Sequence, residues 1–580
     1  MIYAEQLSYG FPQKELYNRI SFSLEEGRHC ALIGSNGVGK STLIDIIRKP
    51  ENFLFDGKLH LEHVGRIGFV SQFAHRDPQQ EQTVFDCLAQ DFLALQEEIA
   101  GLCVEMETAE DLEPLLERYQ ALLDESESMD ADNYEVNIRR ELRLSGLAEK
   151  EELPLIALSG GEYKLVQIIR EILRRPGLLI MDEPEVCLDF ENLAGLRDLI
   201  NHYDGTMLVV THNRYLLGHC FNQIWHLENG DLQQFEGSFH RYNAALLLRK
   251  VEEQEEADKH SAEIQRVSEM VERLRDEATE VVDPLRGRTL KGKVSYLGRL
   301  MAKQIKAPFL NLRHPRISFP SVEKLEEETV LLQVTDYAVS FEEKLLEHVT
   351  FAVRAGEKVA LVGPNGTGKI TLLRAIRGNA DKAISFADGA VVGFFSQLQE
   401  EALCSGNTIM QEFLDLGFES REAVEEHLAQ YCFDPDGLHR NVAQLSGGEK
   451  NLLQLAKLSV SNANFLLLDE PSSHLDTYAQ IELEKAIRAY QGAVVMVSHD
   501  FYNIVNCADT ILFVEDGTVR PVSNRAFRKR IYKNHFRREY LELDLKRQEL
   551  ETKIQRCLGE KDHETARLLS QELERVVSEM

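Results

Sequence analysis

The chain of 580 residues carries a formal net charge of −31, and 43% of its residues are hydrophobic. This is the composition of an ordinary globular chain with room for roughly three to five folded units, and its acidity excludes nucleic-acid binding by overall charge, leaving only a local basic patch for any RNA partner. The nine cysteines stand singly without CxxC pairs, which argues against a zinc site or a disulfide framework and suits a reducing compartment.

In chain order, the first strong signal is a P-loop. Cys30 to Ile33 is a strand-length apolar run, Gly34 to Thr42 reads GSNGVGKST, and Leu43 to Ile47 supplies the apolar face of a following helix. Gly34, Asn36, Gly37 and Gly39 are placed to turn backbone N–H groups onto phosphate oxygens, with Thr42 closing the motif. Lys40 is placed to neutralise the β- and γ-phosphates, and Ser41 to hold Mg2+. A second P-loop, GPNGTGKIT, contributes Gly363, Asn365, Gly366, Gly368, Lys369 and Thr371. Tyr9 and Phe341 precede the two loops at matching places, as candidates for stacking on adenine or for plain core packing.

The chain repeats itself beyond the P-loops. Gln72 in GFVSQ matches Gln397 in GFFSQ, LSGGE occurs at Leu158 to Glu162 and at Leu445 to Glu449, and LLIMDEP at Leu178 matches FLLLDEP at Phe465. VVTHN and MVSHD carry His212 and His499. Ser159 to Ser446, Glu183 to Glu470 and His212 to His499 share one separation, 287 residues, which identifies two homologous domains. Gln72 and Gln397 lie 325 apart, so the first copy carries about 38 extra residues within 79–145, where helical apolar spacing and many acids predict an enlarged helical subdomain.

Each repeated motif has a chemical role. Asp182 and Asp469 end buried strands, where they would organise Mg2+, and Glu183 and Glu470 would orient or deprotonate the attacking water. His212 and His499 end further strands within reach of a γ-phosphate, while Gln72 and Gln397 can sense metal and nucleophile. Ser159 with Gly161, and Ser446 with Gly448, open predicted helices and form further anion sites.

The region between the copies changes character. Asn243 to Glu280 keeps helical spacing with many charges, predicting a long solvated helix, whereas Pro284 to Arg316 carries nine Lys or Arg and no Asp or Glu. Arg286, Arg288, Lys291 and Lys293 mark a candidate phosphate-binding tip, the alternative being a solvated charged hairpin. A second basic run, Arg525 to Arg538, precedes helices near 536–557 and 563–580 that could form a hairpin, for rRNA contact, packing or self-association. The longest apolar runs are too short for a bilayer, and MIYAEQLSYG shows no signal-peptide pattern, so the expected location is the cytoplasm.

Five motifs, in order and twice over, resemble the ATP-binding cassette superfamily. The resemblance implies an α/β fold with two P-loop nucleotide-binding domains packed head to tail, each ATP lying between one P-loop and the other domain's LSGGE. Site one would then combine Lys40, Ser41, Gln72, Glu183 and His212 with Ser446 and Gly448; site two would combine Lys369, Thr371, Gln397, Glu470 and His499 with Ser159 and Gly161. Asp189 and Asp476 would line the interface. Tandem cassettes in one chain, together with QQFEGSFHRYNAALLLRK at Gln233 to Lys250, resemble the ABC-F family of ribosome-associated ATPases. This implies a first cassette at 1–240, a helical linker with a basic tip at 241–328, a second cassette at 329–522 and a basic, helical-hairpin extension at 523–580. It implies ATP and Mg2+ as cofactors and the ribosome as partner, through rRNA and P-site tRNA, the linker tip reaching towards the peptidyl-transferase centre. It also implies an intramolecular pairing of cassettes in a monomer, with a role in translation or in antibiotic resistance. A DNA-structure-binding tandem-cassette ATPase and the ATPase subunit of a transporter remain alternatives.

Two departures from the family pattern set expectations. Ile370 stands where Mg2+ needs a hydroxyl, and a branched alkyl group cannot ligate a hard cation, so site two is expected to hydrolyse ATP slowly. In the first copy Glu185, Val186 and Cys187 replace the Thr-Asn-His of close relatives, and the diverged motifs lean the reading towards resistance.

Overall fold

The computed structural model describes the chain except residues 12–13, 63–64, 73–80, 108–110, 281–290, 300–313, 323–325, 327, 341–343, 380, 415 and 528–537. The chain forms two compact units, one of residues 1–236 with 313–531 and one of 237–312 with 532–580.

The larger unit holds both repeats. In the first, a six-stranded sheet runs Ile67–Val70, Leu178–Asp182, Met207–Val210, His29–Ile33, Gln223–Glu228, Asp231–Glu236, parallel except for the last strand. The second repeats this order with Val392–Phe395, Phe465–Asp469, Ala493–Val497, Lys358–Val362, Thr510–Glu515 and Thr518–Val522. Strands buried on both faces read as unbroken apolar runs, as Val359 to Val362 and Leu466 to Leu468 do. Each repeat adds a three-stranded antiparallel sheet, and the helix after each P-loop fills the space between the two sheets. Leu43, Ile44, Ile46 and Ile47 recur at helical spacing and are all buried, and Leu372, Leu373 and Ile376 do the same in the second copy.

Between the first glutamine motif and LSGGE lie helices Val84–Met106, Glu113–Met129 and Tyr134–Leu144. Asp91 on the first of them accepts from Arg170 and Arg174 of the LSGGE helix, both in two-pronged pairs. Burial works against the Asp91 charge, but these guanidinium groups outweigh it and hold the carboxyl down at about 2.

The smaller unit is helical. Phe239–Glu280 is one helix of 42 residues, and Leu297 of a short helix at 291–299 packs back on Ile264, Val267 and Val271. Helices Arg538–Glu560 and His563–Glu579 form a hairpin whose apolar stripe, including Leu550, Ile554, Leu573 and Val577, buries Ala244 and Val251 of the long helix. Asp258 and Glu255 of that helix pair with His563 and Arg567. The C-terminal stripe is thus covered within the chain.

Candidate functional site

Both P-loops leave the fourth strand of their sheet and enter a helix at a glycine in the left-handed region, Gly39 at φ 102° and Gly368 at φ 93°. A side chain there would be strained. Lys40 and Lys369 are buried and fold back over their loops, donating to the carbonyls of Gly34 and Ser35 and of Gly363 and Pro364. Burial lowers both ammonium pKa values, opposed by nearby carboxylates that include Glu183 and Glu470. Such cations gain from a phosphate beside them.

The LSGGE helices show why that sequence sits at a helix start. Ser159 and Ser446 are N-caps, and Glu162 and Glu449 return the bond to the cap backbone, so each LSGGE is a capping box. The box fixes the direction of the free N–H groups.

The two repeats face each other head to tail. The Asn36 N–H donates to Asp476 Oδ2 at 3.3 Å, and its side chain donates to the His474 carbonyl at 2.8 Å. Reciprocally, the Asn365 N–H donates to Asp189 Oδ2 at 2.9 Å and its side chain to the Cys187 carbonyl at 3.0 Å. Asp189 and Asp476 each use their other oxygen to cap the next helix. Gly448 packs so closely on the first P-loop that a Cβ would lie 1.9 Å from Asn36 Nδ2. A cavity of about 540 Å³ joins Ser159 and Gly161 of the first repeat to Lys369, Thr371 and Gln397 of the second.

At site one the hydrolytic candidates form a network across the interface. Gln72 Nε2 donates to Glu183 Oε2 at 2.6 Å, and His474 Nδ1, from the opposite repeat, lies 3.3 Å from the same oxygen. Burial would raise the Glu183 pKa, but the His474 hydrogen bond and the positive groups around it outweigh burial and hold it at about 2. Ser41 Oγ donates to Asp182 Oδ2 at 3.2 Å, which gathers hard oxygen donors suited to Mg2+. Burial and the Glu183 charge push Asp182 up to about 6, so a cation beside it would be favoured.

Burial likewise pushes Asp469 of site two up to about 6, but the surroundings differ. Ile370 offers no hydroxyl, and Asp469 Oδ1 is buried with no hydrogen-bond partner among the described residues. Cys187 stands where His474 stands in the other repeat, so no imidazole of the opposite repeat occupies the matching position beside Glu470. Burial pushes Glu470 up to about 8, only partly offset by its bond from the His499 N–H. His212 and His499 are driven down to about 4 and about 3, first by burial, and are therefore neutral near pH 7.

Tyr9 lies in a ring group with Phe11, Tyr17 and Phe53, while Phe341, Arg286 and Arg288 lie outside the described residues. Lys291 is exposed and Lys293 half-buried in the smaller unit. Sequence reading missed three residues here. His474 lies two residues before Asp476, with no local pattern that marks it as a partner of Glu183. Lys164, on the otherwise apolar face of the LSGGE helix, donates to the Ser71 and Gln72 carbonyls and so holds the loop of site one. Glu185 was read as a mere departure.

Residues 17–186 and 346–473 match the family model described as ABC transporter. The chain belongs to the ABC transporter family. Its repeats are therefore ATP-binding ABC ATPase domains in tandem, and no described helix is long and apolar enough to cross a membrane. This ABC chain is 27% identical over 520 residues to the uncharacterized ABC transporter ATP-binding protein YfmM of Bacillus subtilis, covering 86% of this chain and 95% of the relative. It is 28% identical over 527 residues to ABC transporter F family member 2 of Arabidopsis thaliana, covering 88% and 76%. Among solved structures, archaeal ribosome recycling factor aABCE1 in complex with ribosomal stalk protein aP1 superposes with a TM-score of 0.52 over 92% of both chains at 17% identity. RNase-L Inhibitor gives 0.52 at 18% identity, covering 91% of this chain and 93% of that one. These two share the tandem-cassette fold.

Proposed function

We propose that this chain is an ABC-F ATPase that binds the ribosome in its ATP-closed form, with the linker tip directed to the peptidyl-transferase centre. It acts in translation or protects the ribosome from antibiotics, as a cytoplasmic monomer. The observation that carries this reading is that, within one chain, the P-loop of each repeat hydrogen-bonds the opposite repeat, Asn36 to Asp476 and Asn365 to Asp189, and that the chain also carries a helix of 42 residues. A relative named ABC transporter F family member and a structural neighbour named ribosome recycling factor support it.

In this account ATP completes each pocket from both sides, and the cassettes close. Glu183, ionised and held by Gln72 and His474, orients the water at site one. Mg2+ held by Ser41 and Asp182 would supply neutralisation of phosphate charge there. Site two, lacking the Ser41 counterpart and an ionised Glu470, holds ATP and turns over slowly. Hydrolysis leaves like-charged products, which favour opening and release.

Sedimentation with 70S ribosomes tests the reading. Glu183→Gln with Glu470→Gln should pellet with ribosomes in ATP, while the native chain should be released; binding to branched DNA without ribosome association would overturn it. Neutralising Arg286, Arg288, Lys291 and Lys293 should weaken ribosome binding and flatten its salt dependence by about 0.7 log unit per lost phosphate contact.

A further inference from the structure

The two repeats solve one local problem differently. Where the chain turns after strands Met207–Val210 and Ala493–Val497, the N–H of the following histidine needs an acceptor. In the second repeat Glu470 itself provides it: the His499 N–H donates to Glu470 Oε2 at 3.2 Å, and Glu470 Oε1 lies 3.6 Å from His499 Nε2. That carboxylate is turned to its own loop. In the first repeat Glu185 Oε1 accepts instead, from the His212 N–H at 3.2 Å, the Asn213 N–H at 3.3 Å and the Thr211 hydroxyl at 2.5 Å. Glu183 is then left to Gln72 and His474.

The backbone does not explain this difference. Glu183 and Glu470 share the same left-handed conformation, φ 43° and 50°, and both donate their N–H to the neighbouring strand at 2.9 Å. Besides the exchange of His474 for Cys187 across the interface, what differs within each repeat is the residue two positions on: Glu185 in the first and Ser472 in the second, whose side chain is too short to replace a glutamate there.

We propose that Glu185 is a positioning residue that takes over the His212 loop and thereby keeps Glu183 aimed at the shared nucleotide pocket. The second repeat, with Ser472, diverts Glu470 to its own loop and is slow for that reason as well as for Ile370. This rests on the assignment of hydrolysis to Glu183, but not on the ribosome, so ATPase kinetics of the isolated chain test it independently.

The experiment uses the full chain with Glu470→Gln as parent, so that turnover reports on Glu183. Adding Glu185→Ser should lower kcat at least tenfold with KM for ATP changed less than threefold. Adding Glu185→Gln, which keeps an acceptor oxygen, should recover most of the lost kcat. In the opposite background, Glu183→Gln, Ser472→Glu should raise kcat several-fold. Full kcat in the serine variant, an equal loss in the glutamine variant, or a rise in KM matching the fall in kcat would each overturn the proposal. A parent without turnover would refute the assignment to Glu183, and the proposal with it.

Discussion

Arg214 of the first cassette reaches across to Glu484 and Asp500 of the second, the latter at 3.2 Å, with its guanidinium carbon 4.6 Å from the Tyr502 ring centroid. Its side chain is 13% exposed and those of its acidic partners 9% and 18%, so the charges meet largely out of water. Removing one partner of a buried pair costs about 3–5 kcal/mol, and the residual exposure favours the lower figure. Arg214→Met keeps the apolar bulk against Tyr502 and removes the charge. Because Glu484 and Asp500 regain water when the cassettes part, the loss falls on closure, and about 3 kcal/mol corresponds to roughly 150-fold. A fluorophore pair, one on each cassette, read during ATP titration of the Glu183→Gln, Glu470→Gln chain, should show the closure midpoint shifted by about two orders of magnitude. Glu484→Gln in the same chain should recover much of the shift, since one unpaired carboxylate is gone. A shift under threefold, or a double variant no better than Arg214→Met alone, would refute the reasoning.

Two further outcomes follow from the asymmetry of the pockets. Ile370→Ser should raise turnover of the Glu183→Gln chain and lower the Mg2+ concentration it needs, measured by phosphate release; unchanged Mg2+ dependence would mean that Thr371 already serves. Burial holds Glu470 at about 8 and therefore protonated at pH 7, whereas Glu183, at about 2, stays ionised. Turnover of the Glu183→Gln chain should thus rise between pH 7 and 9, while that of the Glu470→Gln chain stays flat there; matching profiles would contradict the assignment.

The α/β fold was legible because its evidence is repeated: strand-length apolar runs ending in a P-loop, DE or His recur in the same order, and three motif pairs share one spacing. The capping box was legible too, since S-x-x-E lies inside LSGGE, although the glycines drew the reading to anion binding instead. What the sequence hides is which side chain meets which partner across an interface. His474 touches Glu183 only because the cassettes are apposed, and no local pattern announces a contact spanning 291 residues. Glu185 left a fainter trace, an acid two places after Glu183 where the second copy has serine, but its bond to the His212 loop depends on neighbouring strands far apart in sequence. For the C-terminal hairpin, periodicity gave an apolar stripe without saying what covers it; Ala244 and Val251 do.

The most direct test of the account asks whether each active site draws on both halves of the chain. In the Glu470→Gln chain the proposal leaves hydrolysis to site one, whose half from the opposite repeat includes Gly448, where a methyl group would lie 1.9 Å from Asn36 Nδ2. Single-turnover hydrolysis should fall by at least two orders of magnitude for Gly448→Ala in that chain and by less than tenfold for Gly161→Ala, which belongs to the other pocket. Equal losses, or a larger loss from Gly161→Ala, would contradict nucleotide pockets shared between the cassettes.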